Sequence, residues 1–564
     1  MRILRIAMGI CLLGIALAGP ALAAPAGAAP AASTGERIYR EGALPDGRAL
    51  TGLRENQTQV HGAQAACVNC HRRSGLGNVE GNYVVPPITS KYLLRSAAQN
   101  TGDLEMSHVA GYHQGHVAYT DASLARVLRE GVASDGRELS ALMPRYTLDD
   151  TAMADLLGYL HELGAGPFPG VSDSDLQFAT IVTPDADPVE RKAMLEVLER
   201  FFATQSDVIA AETRPLKTSR EIRYRVTRRW HLHVWELTGA PDAWEQQLQE
   251  RFAVEPVFAV LSGIGRATWA PVHRFCEDAR VPCLFPNTDL PVDREGDFYS
   301  VYFSRGVLLE ADLMAQWLQS RAGAAGGGRV IQAVRAGDIG VAASAALSSA
   351  LSETVMGALK EARPSNGRAN LTRELPAPPL TPASWRALFG DITPQDTLVL
   401  WLRPDDLKSL PAAPPPAAQI LVSSSLGGMD ASPLPAAWRE RVQMAYPFDL
   451  PAQRMARMNF PFGWFKVQHI PITAERVQVD TYLACVITSE TLGHVLDSFV
   501  PDYLLERLEM MISRRLANAY FPRLGLAPGQ RFASKGGYIV HFGPRKPDQP
   551  ADFPLVADTG WVVP

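Results

Sequence analysis

Apolar positions follow two rhythms along this chain, and the change falls near residue 164. Before it the spacing is helical. Met153, Leu156, Leu157, Leu160 and Leu163 recur on one face, after Thr147-Leu148-Asp149-Asp150, an opening like a capping box. Leu124 to Arg129 predicts a shorter helix closed by Glu130-Gly131, and Gly35 to Glu41 predicts another. No convincing strand precedes residue 164. After Val171 apolar β-type runs alternate with amphipathic stretches, the pattern of α/β layers. Strands are predicted at Phe178–Val182, His231–Trp235, Val257–Leu261, Cys283–Phe285, Val330–Val334, Thr397–Leu402 and Gln419–Val422. Helices are predicted over Pro188–Phe202, Asp242–Phe252, Ala270–Ala279, about Ala342–Leu359 and about Pro501–Tyr520.

Between the two rhythms lies Gly164-Ala165-Gly166-Pro167-Phe168-Pro169-Gly170, which neither helix nor strand tolerates and which reads as a linker. Arg363 to Thr381 is polar and Pro-rich and reads as a loop. Pro411 to Ala418 reads as a connector. At the start, Arg2 and Arg5 precede an apolar run from Ile6 to Ala18, and Ala21-Leu22-Ala23 follows. That is the build of a signal peptide cleaved after Ala23. Residues 24–34 then read as a disordered tail.

The chain has 564 residues, 46% hydrophobic and 20% charged, enough for several folded units with sizeable cores. Its net charge of −5 offers no basic excess for nucleic acid. No later apolar run is long enough to span a membrane. Export would place Cys67, Cys70, Cys276, Cys283 and Cys485 under oxidising conditions. Cys276 and Cys283 lie close enough through one turn for a disulfide. Cys485, in an apolar run, reads as a core thiol.

Cys67-Val68-Asn69-Cys70-His71 carries the strongest chemistry. In C-x-x-C-H two thiols can join the haem vinyl groups, and the adjacent histidine can hold the iron. A zinc knuckle or a redox Cys pair competes. The first needs a second Cys/His pair nearby, and the second needs a βαβ context. Met143, before Pro144 and the capped last helix, is the expected second axial ligand. His108, His113 and His116 are its rivals.

With Gly35 and Tyr39, Pro86-Pro87, Met143-Pro144 and the helix carrying Tyr159, residues 35–163 resemble class I c-type cytochromes. The resemblance implies an all-α fold around one covalent haem c, held by Cys67, Cys70, His71 and Met143. It also implies single-electron exchange with redox partner proteins in the periplasm.

Residues 171–564 resemble type I periplasmic binding proteins of the branched-chain amino-acid-binding group. Val257 to Gly265, Val281 to Thr288, Phe303-Ser304-Arg305-Gly306 and Gly328 to Gly340 carry the likeness. It implies two lobes, about 171–305 and 306–564 with crossovers, closing on a small molecule. The implied contacts are Gly263, Gly265, Arg266, Thr268, Asn287, Thr288 and Asp289, faced by Asp338 and Ser423, Ser424 and Ser425. Ordinary turn and cap chemistry explains each of these equally. Gly263-x-Gly265 falls short of a dinucleotide fingerprint. Arg223, Arg225 and Arg228-Arg229 read as the solvated side of an edge strand. No hydrolase or dehydrogenase motif is present. The sequence therefore predicts an exported electron carrier fused to a solute-binding module. The alternative is a ligand receptor whose haem reports redox state.

Overall fold

Ser33 starts the first helix. Its side chain accepts from the Glu36 amide, and α1 runs Thr34–Glu41. The computed structural model describes residues 32–54, 57–81, 83–96, 117–212, 228–321, 328–360, 369–378, 380–495, 498–544 and 554–564. The signal segment and most of the tail lie outside them, but this cap already orders residues 33 and 34.

After α1 come β1 (Thr51–Leu53), β2 (Gln59–His61), α2 (Val68–His71), β3 (Asn78–Glu80), β4 (Tyr83–Val85), α3 (Ser90–Leu93), α4 (Asp121–Glu130), β5 (Arg145–Thr147) and α5 (Asp150–Glu162). The all-α expectation needs correction. An antiparallel sheet runs β2-β1-β5, and β3 pairs with β4. Each of these strands has three residues, too few for alternation to show in sequence. One unit also recurs. α1 and α4 both stop at a left-handed glycine, Gly42 and Gly131, and both run on into an Asp-Gly turn. There Asp46 and Asp135 accept from the amides of Arg48 and Arg137, both at 3.0 Å.

The helical core forms as the periodicity requires. Ile38, Leu124, Leu128, Met153, Leu156 and Leu160 are buried in one cluster. α1 crosses α5 at Gly35, where a Cβ would lie 2.1 Å from the Asp155 carbonyl oxygen, so only glycine permits the approach. Tyr39 and Tyr159 pack there with ring centroids 5.3 Å apart.

The second region begins β6 (Asp175–Val182), α6 (Pro188–Glu212), β7 (Arg229–Glu236), α7 (Trp244–Val254), β8 (Ala259–Leu261), α8 (Ala270–Asp278), β9 (Cys283–Leu284) and β10 (Ser300–Val301). These strands form a parallel sheet in the order β10-β9-β8-β6-β7. The chain continues through α9 (Val307–Ser320), β11 (Val330–Arg335), α10 (Gly340–Lys360), β12 (Asn370–Leu375), α11 (Pro382–Phe389) and β13 (Thr397–Trp401). Next come α12 (Pro404–Leu407), β14 (Gln419–Ser423), α13 (Ser424–Gly427), α14 (Ala436–Arg439) and β15 (Val442–Tyr446). Here the parallel order is β12-β11-β13-β14-β15. In both sheets the first strand lies inside and the order reverses beside it. The result is two doubly wound α/β lobes.

α15 (Pro451–Val467), α16 (Glu475–Gly493) and α17 (Pro501–Ile512) return to the first lobe, with α16 packed along α6. β16 (Tyr538–Phe542) and β17 (Leu555–Ala557) then close the second sheet as antiparallel strands. β12 corrects the expected loop over Arg363 to Thr381. As an edge strand with mostly solvent-facing side chains it can be polar. Arg228 is a second correction. It is buried, with its guanidinium 4.0 Å from the Phe499 ring centroid. Arg229, on edge strand β7, is solvated and pairs with Asp175. Arg223 and Arg225 lie outside the described residues.

The linker is packed rather than loose. The Gly170 carbonyl accepts from the Gln177 amide at 2.8 Å, and Leu76 and Tyr92 of the first region share an apolar cluster with Phe258 of the second. Among the described residues no helix is long and apolar enough to cross a membrane.

Candidate functional site

α2 is a single turn, and the five residues Cys67 to His71 occupy its N-cap and its length. Three contacts to main-chain carbonyls fix its surroundings. Tyr39 from α1 donates its hydroxyl to the Arg72 carbonyl at 2.7 Å. Tyr146 from β5 donates to the Ala65 carbonyl at 3.1 Å. His71 Nδ1 lies 3.0 Å from the Pro86 carbonyl. A carbonyl can only accept, so Nδ1 carries the proton and Nε2 keeps its lone pair. Among the described residues nothing is hydrogen-bonded to Nε2. Burial pushes His71 down to about 4, so the imidazole is neutral and fit to ligate a metal.

Cys67 is buried, and burial pushes its thiol up to about 12. Met143 packs, partly buried, against the cluster that holds Cys67, as do Val68 and Ile88. One neutral imidazole, one thioether and two thiols spaced for vinyl attachment fit haem c. Among the described residues no group of three or more His, Cys, Asp and Glu could hold a metal ion. His108, His113 and His116 lie outside the described residues.

The second candidate site follows from the sheet order, since doubly wound sheets bind ligands where the strand order reverses. In the first sheet those are the loops after β6 and β8, with the loop after β9 bridged to them at Ile264 and Asn287, and in the second the loops after β11 and β13. Most residues singled out from sequence are engaged with the protein itself. Gly263 has φ 113°, and a Cβ on it would come within 2.8 Å of Trp269. Gly265 also packs on Trp269. Thr268 caps the Ala270 amide at 3.3 Å, and Thr288 accepts from the Leu290 amide at 3.4 Å. Both are turn contacts. Asn287 donates to Ser262 at 2.9 Å and to Thr481 of α16 at 3.1 Å. Ser424 is buried and donates to Glu310 at 2.7 Å, with Ser423 and the Ser425 amide on the same carboxylate. Burial raises the Glu310 carboxyl, and those donors oppose it.

Charges do gather between the lobes. Asp338 is bidentate to Arg403 at 2.6 and 2.8 Å, and Arg403 reaches across to the Arg266 carbonyl at 3.4 Å. Arg476 of α16 pairs with Asp289 at 2.7 Å and with Asp480 at 3.6 Å. Asp480 is buried, and its Oδ1 has no hydrogen-bond partner among the described residues. Burial, then the nearby Asp289, push it up to about 7 against the pull of Arg476. The structure thus brings Arg266, Asp289 and Asp338 toward one face and leaves Ser424 and Thr288 out of it. Sequence reasoning missed Arg403, Arg476 and Asp480. The Arg476/Asp480 spacing of four residues on one helix was the available signal.

Cys276 and Cys283 are buried thiols within hydrogen-bonding contact of each other, and burial raises Cys276. Cys485 is fully buried.

Solved structures of solute-binding proteins are similar to this chain over about two thirds of its length. A fatty acid ABC transporter substrate-binding protein from Thermomonospora curvata is 15% identical, with a TM-score of 0.46, covering 71% of this chain and 95% of that one. A leucine-binding protein from Thermotoga maritima is 11% identical, with a TM-score of 0.45, covering 68% and 99%. A branched chain amino acid ABC transporter from Thermus thermophilus with bound valine is 12% identical, with a TM-score of 0.44, covering 69% and 97%. No family model and no curated protein matches the chain.

Proposed function

We propose that this protein is an exported single-electron carrier, with one covalent haem c in residues 35–163 and a solute-binding module in residues 171–564. The observation that carries the reading is the His71–Pro86 contact beside Cys67 and Cys70. It turns a short sequence motif into an oriented, neutral ligand on a helix turn with two thiols. Cys67 and Cys70 would form the thioethers, and His71 and Met143 would hold the iron. Haem held by these residues would supply one-electron chemistry for exchange with periplasmic partner proteins. Tyr39, Tyr146 and Pro86 keep α2 and the imidazole in place whichever state is present.

The test is a reduced-minus-oxidised spectrum of protein matured in a periplasm. The expected result is a covalent c-type spectrum with the near-infrared methionine–iron band, and loss of that band in Met143→Ala. A c-type spectrum without that band in the unaltered protein would overturn Met143 and bring forward His108, His113 or His116. Absence of covalent haem would overturn the reading of Cys67 to His71.

A second reading makes ligand binding primary, with haem as a reporter. The unpaired, buried Asp480 oxygen at the interlobe face favours it. It predicts saturable binding of one small metabolite, compaction in solution scattering, and loss of both in Asp480→Ala.

A further inference from the structure

The two regions meet along α17, and the contact is unusual for a surface between folded units because an acid is buried in it. Glu506 is buried, and it accepts from the Ser74 amide at 2.9 Å and the Ser74 hydroxyl at 2.6 Å. Ser74 lies three residues beyond His71, on the segment whose Arg72 carbonyl anchors Tyr39 and whose Gly77 amide donates to the His71 carbonyl at 3.2 Å. The second region thus grips the first by the turn that follows the C-x-x-C-H helix.

Three arginines near Glu506 are committed to other acids. Arg40 and Arg73 both reach Asp502, at 3.4 and 3.2 Å, and Tyr299 donates to the same carboxylate. Arg531 pairs with Glu509. Within α17 itself Asp502 and Glu509 add like charge. Tyr39 and Tyr503 face the carboxyl with neutral hydroxyls pushed up by their own burial. Arg72 and Arg507 border a cavity of about 120 Å³ beside Glu506, room for water. Burial is the main cause that pushes Glu506 up to about 8, with Asp502 and Glu509 adding to it and the Ser74 donors opposing it.

We propose that Glu506 couples proton uptake to reduction of the haem, so that the second region sets how the carrier's potential depends on pH. The proposal rests on the haem reading above. Glu506 takes one proton from solvent, forming one O–H bond, as one electron reaches the iron from a one-electron donor protein. It returns the proton to solvent when the electron leaves. The cause is electrostatic. An added electron disfavours a nearby carboxylate, and in a buried setting the interaction is weakly screened.

The experiment is a spectroelectrochemical titration of full-length, haem-loaded protein between pH 6 and 10 with small soluble mediators, on the native chain, Glu506→Gln and Ser74→Ala. The glutamine side chain of Glu506→Gln reproduces the neutral acid: its carbonyl can accept from the Ser74 amide and its NH2 can donate to the hydroxyl. The expected native potential falls as pH rises through about 8 and is level in Glu506→Gln over the same range. In Ser74→Ala the fall moves to higher pH, because donors that favour the carboxylate are gone. Redox-difference infrared spectra should show a protonated carboxyl band on reduction, absent in Glu506→Gln. An unchanged slope and band in a Glu506→Gln variant that retains its c-type spectrum would overturn this proposal alone. Absence of covalent haem in the native chain would overturn the haem reading and this proposal together.

Discussion

In the first region the groups that carry chemistry are neutral and held by main-chain carbonyls: His71 by Pro86, Tyr39 by Arg72, Tyr146 by Ala65. In the second they are charged and held by one another: Asp338 by Arg403, Arg476 by Asp289 and Asp480. The difference has a physical consequence. A neutral ligand set keyed to backbone is rigid and nearly indifferent to pH and salt. Ion pairs made within each lobe at the face between them can rearrange, and their strength depends on how well each charge is shielded from water. Under the proposed function, the first arrangement would hold a redox group still and the second would line a ligand-binding face.

The sharpest way to test this division is to remove the first site outright. Cys67→Ala with Cys70→Ala should abolish all covalent haem absorbance. The far-ultraviolet dichroism and thermal transition of the α/β lobes should change little, because no cysteine of α2 lies in their cores. A cooperative loss of the lobes would show that the regions fold as one unit.

A smaller effect is expected from crowding the helix crossing. Gly35→Val puts side-chain atoms where even a Cβ would sit 2.1 Å from the Asp155 carbonyl oxygen. The helices must separate, and overpacking of this kind costs about 3 kcal/mol. Urea unfolding followed by haem absorbance should show the first region weakened by that amount. Gly35→Ala should lie between the two.

How far these features could be seen in advance depended on how local they are. The C-x-x-C-H motif spans five consecutive residues and can be read without the fold, and the strands β6, β8, β11, β13 and β14 are buried apolar runs and were legible. α15 and α16 were not. α16 buries Gln478, Val479, Asp480 and Thr481 in succession and then Leu483, Ala484 and Cys485, so it has no polar face to mark a period. The interlobe face draws on residues from Arg266 to Asp480, and Ser424 turned inward because Glu310, over a hundred positions earlier, needed donors. The short strands of the first region depend on pairing partners as distant as Thr51 and Thr147. In each case the deciding contact was made by chain far away in sequence.

The ion pairs of the second region give the next prediction. Arg403→Ala leaves Asp338 without its bidentate partner in a half-buried setting, where the loss should be about 2 kcal/mol, between the surface and buried limits. It should also loosen the lobes, seen as a larger radius of gyration in solution scattering. Because the pair is partly screened, the difference from the native chain should shrink in high salt. The His71 contacts should show no such salt dependence.

The smallest expected effect lies where the two regions touch. Glu506 has a folded-state carboxyl raised from 4.5 to about 8, so the native state holds a proton that the unfolded chain releases. Stability from this group is therefore full below about pH 4.5 and is lost as pH rises through about 8. Asp480, raised from 3.8 to about 7, acts in the same direction over an overlapping range, so the native profile alone cannot separate them. The variants can. Glu506→Gln keeps the neutral form at every pH and should retain at least about 1 kcal/mol that the native chain loses between about pH 5 and 8. Asp480→Asn should flatten the lower part of the fall and leave the part near pH 8 intact. If Glu506→Gln follows the native profile across that window, the acid at the junction is ionised throughout. Its hold on Ser74 would then be an ordinary hydrogen bond between two docked units.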